Sequence, residues 1–269
     1  MKLHALVLFL LYPILSSLYV AGIIRHDRHD DTYRQLAQQP QFVSVFPLES
    51  EGAFIGSSVL IAPSWLLTAE HVVRAHSAHY LEVATSQHRY AVDAIIKHPE
   101  ADLALVHLAE PIPSVQPAIR YRAEDEQGRR GVSVGYGVSG TGDETMGILL
   151  ERGREYVGIK RAGENIIDEI NSGSILQADF DHPMDSLYNM MGSPEALDLE
   201  YFPYRGDSGG GLFIEVEDGW RLCGITIEAT TPRRVVSGDG NPKNAKAYGW
   251  ISQWHRVSDF NAWIDRHIQ

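Results

Sequence analysis

Residues 206–210 read Gly-Asp-Ser-Gly-Gly and stand immediately before an apolar run at residues 211–216. Two other short motifs precede them in the chain: residues 67–71 read Leu-Thr-Ala-Glu-His, and residues 101–105 read Ala-Asp-Leu-Ala-Leu. The glycines beside Ser208 allow a tight backbone turn that leaves the hydroxyl group exposed. A serine hydroxyl becomes a strong nucleophile when a histidine held by a carboxylate removes its proton. The three motifs therefore supply the side chains that acyl-transfer chemistry requires.

The apolar residues of the chain fall into short runs that are typical of β-strands. These runs are rich in valine, isoleucine and aromatic residues, and turn-forming residues separate them. They lie at residues 42–46, 57–62, 65–69, 80–84, 91–96 and 103–108, and again at 131–136, 148–159, 174–179, 211–216, 221–227 and 247–251. Because no helical segments alternate with these runs, the pattern predicts an all-β fold, either a sandwich or barrels. At the end of the chain, Ser258 is a favourable N-cap and apolar residues recur at helical spacing, which predicts a helix at residues 258–268.

The composition excludes several classes of protein. Of the 269 residues, 44% are hydrophobic and 22% are charged, which are ordinary values for a globular chain and exclude disorder over most of its length. The single cysteine, Cys223, excludes an internal disulfide bond and a cysteine-based zinc cluster. The formal net charge of -12 disfavours binding to nucleic acid or to anionic lipid.

The first 22 residues differ in composition from the rest of the chain. Lys2 is followed by an almost wholly apolar stretch at residues 5–15 and then by mostly small residues at 16–22. This order is typical of a secretory signal peptide, so we expect residues 1–22 to be removed on export to the periplasm or the medium. A retained membrane anchor is the alternative, because residues 3–24 are long enough to span a bilayer. The rest of the chain is then exported in either case, and it is held at a membrane only if the segment is retained.

Residues 25–39 are strongly polar and predict a solvated arm. His26 and His29 lie beside three aspartates in this segment, which raises the alternative of a metal site. No fourth ligand follows at a suitable spacing, so the sequence predicts no metal there.

Further segments make the chain similar to the chymotrypsin/trypsin-like serine peptidase family, in its bacterial, disulfide-free type. Residues 56–61 resemble the strand that leads to the family's histidine, residues 134–137 resemble a Gly-aromatic-Gly strand of its second barrel, and residues 222–225 resemble the strand beside its substrate. With the three motifs in the family's order, the resemblance covers nearly all of residues 23–269.

The resemblance implies a fold of two antiparallel six-stranded β-barrels with a C-terminal α-helix. Residues 23–269 would form one peptidase domain, with barrel one at about 40–120, barrel two at about 121–256 and the helix at 258–268. The active site of the family lies in the cleft between the barrels.

The resemblance also implies roles for individual residues in hydrolysing a peptide or protein substrate. His71 would act as general base and then general acid, Asp102 would orient it, and Ser208 would be the nucleophile. The amides of Gly206 and Ser208 would form the oxyanion hole. The chemistry of the family requires no metal or organic cofactor.

Two departures from the family pattern lie close to these residues. Glu70 precedes the histidine where the family usually has a small residue, and Thr226 or Ile227 stands where a serine commonly lies behind the aspartate. These changes make reduced or highly selective activity an open alternative, in which the chain is a catalytically weak homologue that acts as a binding module. An α/β-hydrolase is disfavoured because its acid and histidine follow the serine in the chain, and because strands and helices do not alternate here.

The residues that select the substrate follow from the same resemblance. Phe202 would form the base of the primary pocket, Glu228 and Ala229 its far wall, and Lys246 would lie near it. Phe202 is not the acidic residue that a preference for arginine or lysine requires.

The resemblance further implies that the Asp207 carboxylate beside Ser208 pairs with a newly freed N-terminal ammonium. Cleavage after Gly22 would create that ammonium on Ile23. A nearby arginine is the alternative partner.

Overall fold

The computed structural model describes residues 22–85, 88–152, 157–171, 174–232 and 237–268. Apart from Gly22, the predicted signal segment lies outside these residues. In chain order the strands are β1 Gly22–Ile24, β2 Val45–Ser50, β3 Ala53–Ala62, β4 Trp65–Thr68, β5 Leu81–Ala84, β6 Arg89–Lys97, β7 Ala104–Leu108, β8 Arg130–Gly135, β9 Ser139–Thr141, β10 Arg161–Ile166, β11 Glu169–Asn171, β12 Ile175–Asp179, β13 Tyr201–Phe202, β14 Gly211–Val216, β15 Gly219–Thr230 and β16 Ile251–Arg256. The α-helices are α1 Asp30–Ala37, α2 Glu70–Val73, α3 Met146–Glu151 and α4 Val257–His267. Within the described ranges no helix has the length and apolar character needed to cross a bilayer.

The first half of the chain forms a closed antiparallel barrel. Its strands follow the order β2-β3-β4-β7-β6-β5, and β5 pairs with β2 to close the ring. Alternate residues point inwards, so that Leu48, Leu60, Leu66 and Val106 meet in one fully buried cluster.

The second half forms a curved antiparallel sheet in the order β10-β8-β14-β15-β16-β12-β11. The first and last strands of this order, β10 and β11, are separated in the chain only by Ile167 and Asp168. Counted as one bent strand, they pair with β8 at one end and with β12 at the other, which gives a ring of six strand positions. The predicted all-β fold with two barrels and a C-terminal helix is confirmed.

The C-terminal helix α4 begins one residue before the predicted boundary. Ser258 is not its N-cap: the Ser258 hydroxyl donates to Glu126, which is fully buried and also accepts hydrogen bonds from the Arg256 guanidinium. The ion pair therefore uses the serine that was expected to cap the helix. Phe260 and Ile264 of α4 pack in the cluster that also holds Phe213 of the second barrel.

Three predicted strands are wrong in position or type, and one of them, expected at 42–46, begins only at Val45, after a 3-10 turn at Pro40–Phe42. The apolar run at 148–159 starts as the helix α3, with residues 153–156 outside the described residues; Met146 and Leu149 are buried whereas Ile148 and Leu150 are exposed, which is a helical and not an alternating pattern. The run expected at 247–251 precedes its strand, because β16 begins only at Ile251.

The polar segment at 25–39 is folded rather than a solvated arm. Asp30, in the first turn of α1, forms an ion pair with Arg161, and both side chains are almost completely buried. Tyr33 and Ala37, four residues apart on the same helix, are buried as well. The Asp30 charge is therefore used in packing α1 against β10.

The strand β1 links this segment to the second half of the chain. It pairs antiparallel with β13 and parallel with β9, and Ile23 is completely buried. The pairing places the start of the described chain against β13, which leads directly into residues 206–210.

Candidate active site

The histidine and aspartate of the first two motifs meet at one end of the closed barrel. Strand β4 pairs with β7, with Thr68 opposite Ala104, so the residues just after β4 and just before β7 lie side by side. Asp102 accepts a hydrogen bond from the His71 backbone amide at 2.7 Å and a second from His71 Nδ1 at 2.6 Å. Both carboxylate oxygens are therefore held by one residue.

This pairing fixes how the His71 ring is oriented. Burial raises the pKa of Asp102, but the hydrogen bonds from His71 outweigh that effect, so the pKa lies below its ordinary value. Because the ionised carboxylate accepts only, Nδ1 carries the proton and Nε2 is left as the basic nitrogen. Thr226 and Ile227 donate no hydrogen bond to Asp102, whose partners within the described residues all belong to His71.

Ser208 lies in a tight turn held against the first barrel. Gly209 has a positive φ of 83°, and a Cβ atom there would lie 2.0 Å from the Ser57 carbonyl oxygen, so only glycine fits. The Ser57 amide donates to the Ser208 carbonyl at 2.9 Å. A Cβ atom on Gly56 would meet both Val72, the neighbour of His71, and the Ser208 carbonyl. The turn at residues 206–210 and the helix α2, which carries His71, therefore both pack against the same point of β3.

The Ser208 hydroxyl donates to the Ile227 carbonyl at 3.3 Å. Among the residues that the structure describes, no hydrogen bond joins Ser208 to His71. Hydrogen bonds of this kind are often long in enzymes without substrate and tighten when substrate binds.

Two amides of the turn have no acceptor within the described part of the chain, and they belong to Gly206 and Ser208. The backbone amides between and after them all donate to backbone carbonyls: the Asp207 amide to Tyr204, the Gly209 amide to Thr226 and the Gly210 amide to Asp207. The two unpaired N–H groups are those that a developing oxyanion would require.

A family model described as a trypsin-like peptidase domain matches residues 56–225, more than half of the chain, and the matched segment contains all three motifs. The chain belongs to the trypsin-like peptidase family. No curated protein matches the chain. Membership supports a serine-protease type of hydrolase that acts on peptides or proteins.

Next to Ser208, this trypsin-like peptidase has a cavity of about 330 Å³. Its lining is mainly apolar, with Arg205 and Glu228 as the charged members. The remaining lining residues are Met146, Leu150, Pro203, Tyr204, Ser208, Thr226, Ile227, Ala229 and Trp250.

Two of the four predicted pocket residues do not line this cavity. Glu228 and Ala229 line it. Phe202 is completely buried behind it, stacked on Tyr204, because β13 is held by its pairing with β1. Lys246 is paired instead with Thr145 outside the lining. Sequence reasoning missed the walls supplied by α3, for which the apolar run at 148–159 was the available signal.

Asp207 is buried and held by neutral groups. Its carboxylate accepts from the Gly137 amide at 2.8 Å and the Tyr204 amide at 2.9 Å, and the Tyr201 hydroxyl lies 3.4 Å from both oxygens. Burial raises the pKa of Asp207 to about 6. A Cβ atom on Gly137 would lie 2.5 Å from the carboxylate, which explains the second glycine of the Gly-aromatic-Gly motif.

The predicted pairing of Asp207 with an Ile23 ammonium stays a prediction. Ile23 lies in β1, and a Cβ atom on the preceding Gly22 would be 1.9 Å from the Tyr201 hydroxyl. That hydroxyl is therefore close to both the start of β1 and the carboxylate. None of the described arginines forms an ion pair with Asp207.

The Glu70 side chain is partly exposed on the first barrel. Its carboxylate forms ion pairs with Lys97 at 3.1 Å and Arg74 at 3.5 Å. The glutamate at this position, where the family usually has a small residue, is thus accommodated at the surface of the barrel.

Ser57 is a further residue that sequence reasoning missed. Its hydroxyl donates to the Gly206 carbonyl at 2.9 Å and accepts from the Tyr136 amide at 3.1 Å. It therefore holds the turn that carries the two free amides, and no motif in the sequence marks this role.

Proposed function

We propose that this chain is a serine endopeptidase that cleaves its substrate through an acyl-enzyme. His71 removes the proton from the Ser208 hydroxyl, and the oxygen attacks the substrate carbonyl carbon. The bidentate contact of Asp102 with His71 is the observation that carries the proposal, because it fixes the tautomer in which Nε2 accepts a proton.

The negative charge that forms on the substrate oxygen is stabilised by the amides of Gly206 and Ser208. Protonated His71 then gives its proton to the leaving amine, which breaks the peptide bond and leaves an ester on Ser208. Water then attacks the ester while His71 takes its proton, the ester bond breaks to release the carboxylic acid, and His71 returns the proton to the Ser208 oxygen, which restores the free serine.

The cavity beside Ser208 supports a preference for a bulky apolar side chain before the cleaved bond. Its volume of about 330 Å³ and its aromatic and aliphatic walls favour such a group, because burying apolar surface is favourable. Ala229→Phe should lower kcat/KM for a phenylalanine substrate and spare one with alanine. An equal effect on both substrates would contradict the pocket assignment.

Export with removal of residues 1–22 belongs to the same proposal. The buried pairing of Ile23 in β1 supports a start of the folded domain at this point. Cell fractionation combined with N-terminal sequencing tests both claims, and a full-length cytosolic product would contradict them.

Ser208→Ala tests the mechanism. Losing the nucleophile should reduce peptide hydrolysis by about 10⁴- to 10⁶-fold without unfolding the protein. Turnover near the wild-type rate in a folded variant would refute the role of the serine.

A catalytically weak homologue that binds peptides is the second candidate. The hydrogen bond from the Ser208 hydroxyl to the Ile227 carbonyl favours it, since it directs the proton away from His71. This candidate predicts that the wild-type protein and Ser208→Ala bind an apolar peptide equally and that neither cleaves it.

A further inference from the structure

A second cavity, of about 660 Å³, lies apart from the proposed active site. None of its lining residues lines the cavity beside Ser208. Its walls come from β2, from the start of β6, from the connection between the barrels, and from the segments around Tyr136 and Lys160. The proposed peptidase chemistry uses none of these walls.

Lys160 is the feature that sets this cavity apart. Its Nζ donates to the Phe42 carbonyl, and no carboxylate in the described residues forms an ion pair with it. Burial lowers the pKa of Lys160 to about 8, so the amine still carries its charge at pH 7. A partly buried ammonium without an anionic partner is unfavourable, and an anionic ligand would relieve that cost.

Two other side chains of the wall, Tyr136 and His88, already have hydrogen-bond partners. The Tyr136 hydroxyl donates to the Val45 carbonyl at 3.2 Å. His88 Nε2 is hydrogen-bonded to Glu110 at 2.7 Å, so any positive charge on that ring has a partner. Lys160 is therefore the cation in this wall that remains for a ligand.

One part of the lining is apolar. Val43, Pro47 and Val115 contribute accessible aliphatic surface, and Val43 is 40% exposed, whereas Val45 and Phe46 lie buried beneath it. A ligand that placed an apolar chain here would remove this surface from water.

We propose that this cavity binds a small organic monocarboxylate with an apolar tail, whose carboxylate pairs with the Lys160 ammonium. The tail lies against β2 and Val115. The site is independent of the peptidase proposal, because Ser208 takes no part in it.

Calorimetric titration with octanoate, and with octanol as the uncharged analogue, tests the charge pairing. The wild-type protein should bind octanoate, and Lys160→Met should weaken that binding by about 10- to 100-fold, since a hydrogen bond to a charged group is lost. Lys243→Met removes the same charge from an exposed turn and should leave the affinity unchanged. Equal affinity for octanol and octanoate, or no binding of either at millimolar concentration, would overturn the proposal.

Two further variants locate the ligand if Lys160→Met does not fold. Ser114→Glu, at an exposed lining position, places a competing carboxylate at the cavity and should weaken octanoate binding. Ala229→Phe narrows the cavity beside Ser208 and should leave octanoate binding unchanged. Loss of binding in Ala229→Phe alone would assign the ligand to the active site and refute the second site. Tighter binding of an acetylated apolar tripeptide with a free C-terminus than of octanoate would refute the small-molecule assignment.

Discussion

Replacing Asp181 by asparagine should stabilise the protein, and by more at pH 8 than at pH 5. Asp181 is only 6% exposed, and its Oδ1 has no hydrogen-bond partner within the described residues. Burial and the nearby carboxylates of Asp179 and Asp168 raise the pKa of Asp181 to about 8. Burial also raises the pKa of Asp168, to about 7.

The size of the effect follows from proton linkage. Because the folded pKa of Asp181 lies above the unfolded value of about 3.9, the native state holds a proton that the unfolded state releases. The contribution of Asp181 to the free energy of unfolding is thus fully present below about pH 4 and is lost as the pH rises towards 8. A neutral asparagine avoids that loss, so the gain should be about 2 kcal/mol at pH 5 and about 5 kcal/mol at pH 8.

Urea unfolding at pH 5, 6, 7 and 8, followed by tryptophan fluorescence, measures this gain. The Ser208→Ala background prevents self-digestion during the experiment. Glu195→Gln is the control, because this carboxylate lies on the same segment, is exposed and forms no ion pair within the described residues. A gain from Asp181→Asn that does not grow with pH, or that the control reproduces, would refute the assignment of a buried protonated carboxyl.

Three other predictions follow from the contacts of the site and its supports. Asp102→Asn should keep the fold and lower kcat by about 10⁴-fold at neutral pH, because the ring adopts the wrong tautomer; a loss of only a few-fold in a chromogenic peptide assay would contradict this. Arg161→Met leaves the buried Asp30 carboxylate without its partner and should cost about 3–5 kcal/mol in the free energy of unfolding, measured with urea; a cost below about 1 kcal/mol would show that the pair is not needed. The exported protein should start at Ile23 by N-terminal sequencing, and one added residue before it should reduce activity, whereas full activity with that residue would rule out an essential ammonium.

The placement of the three motif residues follows from patterns that are local in the sequence. His71 comes shortly after β4 and Asp102 shortly before β7, and the antiparallel pairing of these two strands is enough to bring them together. Ser208 lies between glycines whose backbone angles other residues rarely adopt. Short motifs therefore predict these positions without knowledge of the whole fold.

The pocket could not be predicted in the same way. Phe202 is turned away from the cavity because β13 pairs with β1, a contact between residues far apart in the chain. The wall formed by Met146 and Leu150 depends on α3, which lies in a stretch whose apolar residues are equally compatible with a strand. Such walls depend on long-range packing, and a single sequence does not report it.

The segment at 25–39 contains a packed helix that its many charged residues made hard to predict from sequence. Tyr33 and Ala37 are the buried residues of α1, and two residues at helical spacing are a weak signal in a polar stretch. The partner of Asp30 is Arg161, about 130 positions later, so neither charge is recognisable as buried from its own neighbourhood. Aspartate and arginine are seldom buried unless they are paired, and pairs of this kind become visible only in the structure.

Labelling with a fluorophosphonate probe tests the proposed chemistry most directly. The probe reacts with a serine hydroxyl only when a neighbouring base activates it. The wild-type protein at pH 7.5 should be labelled at Ser208, as mapped by mass spectrometry of the digested protein, and Ser208→Ala should not be labelled. A folded wild-type protein that stays unlabelled, or that is labelled at another serine, would contradict the assignment of Ser208 as the activated nucleophile.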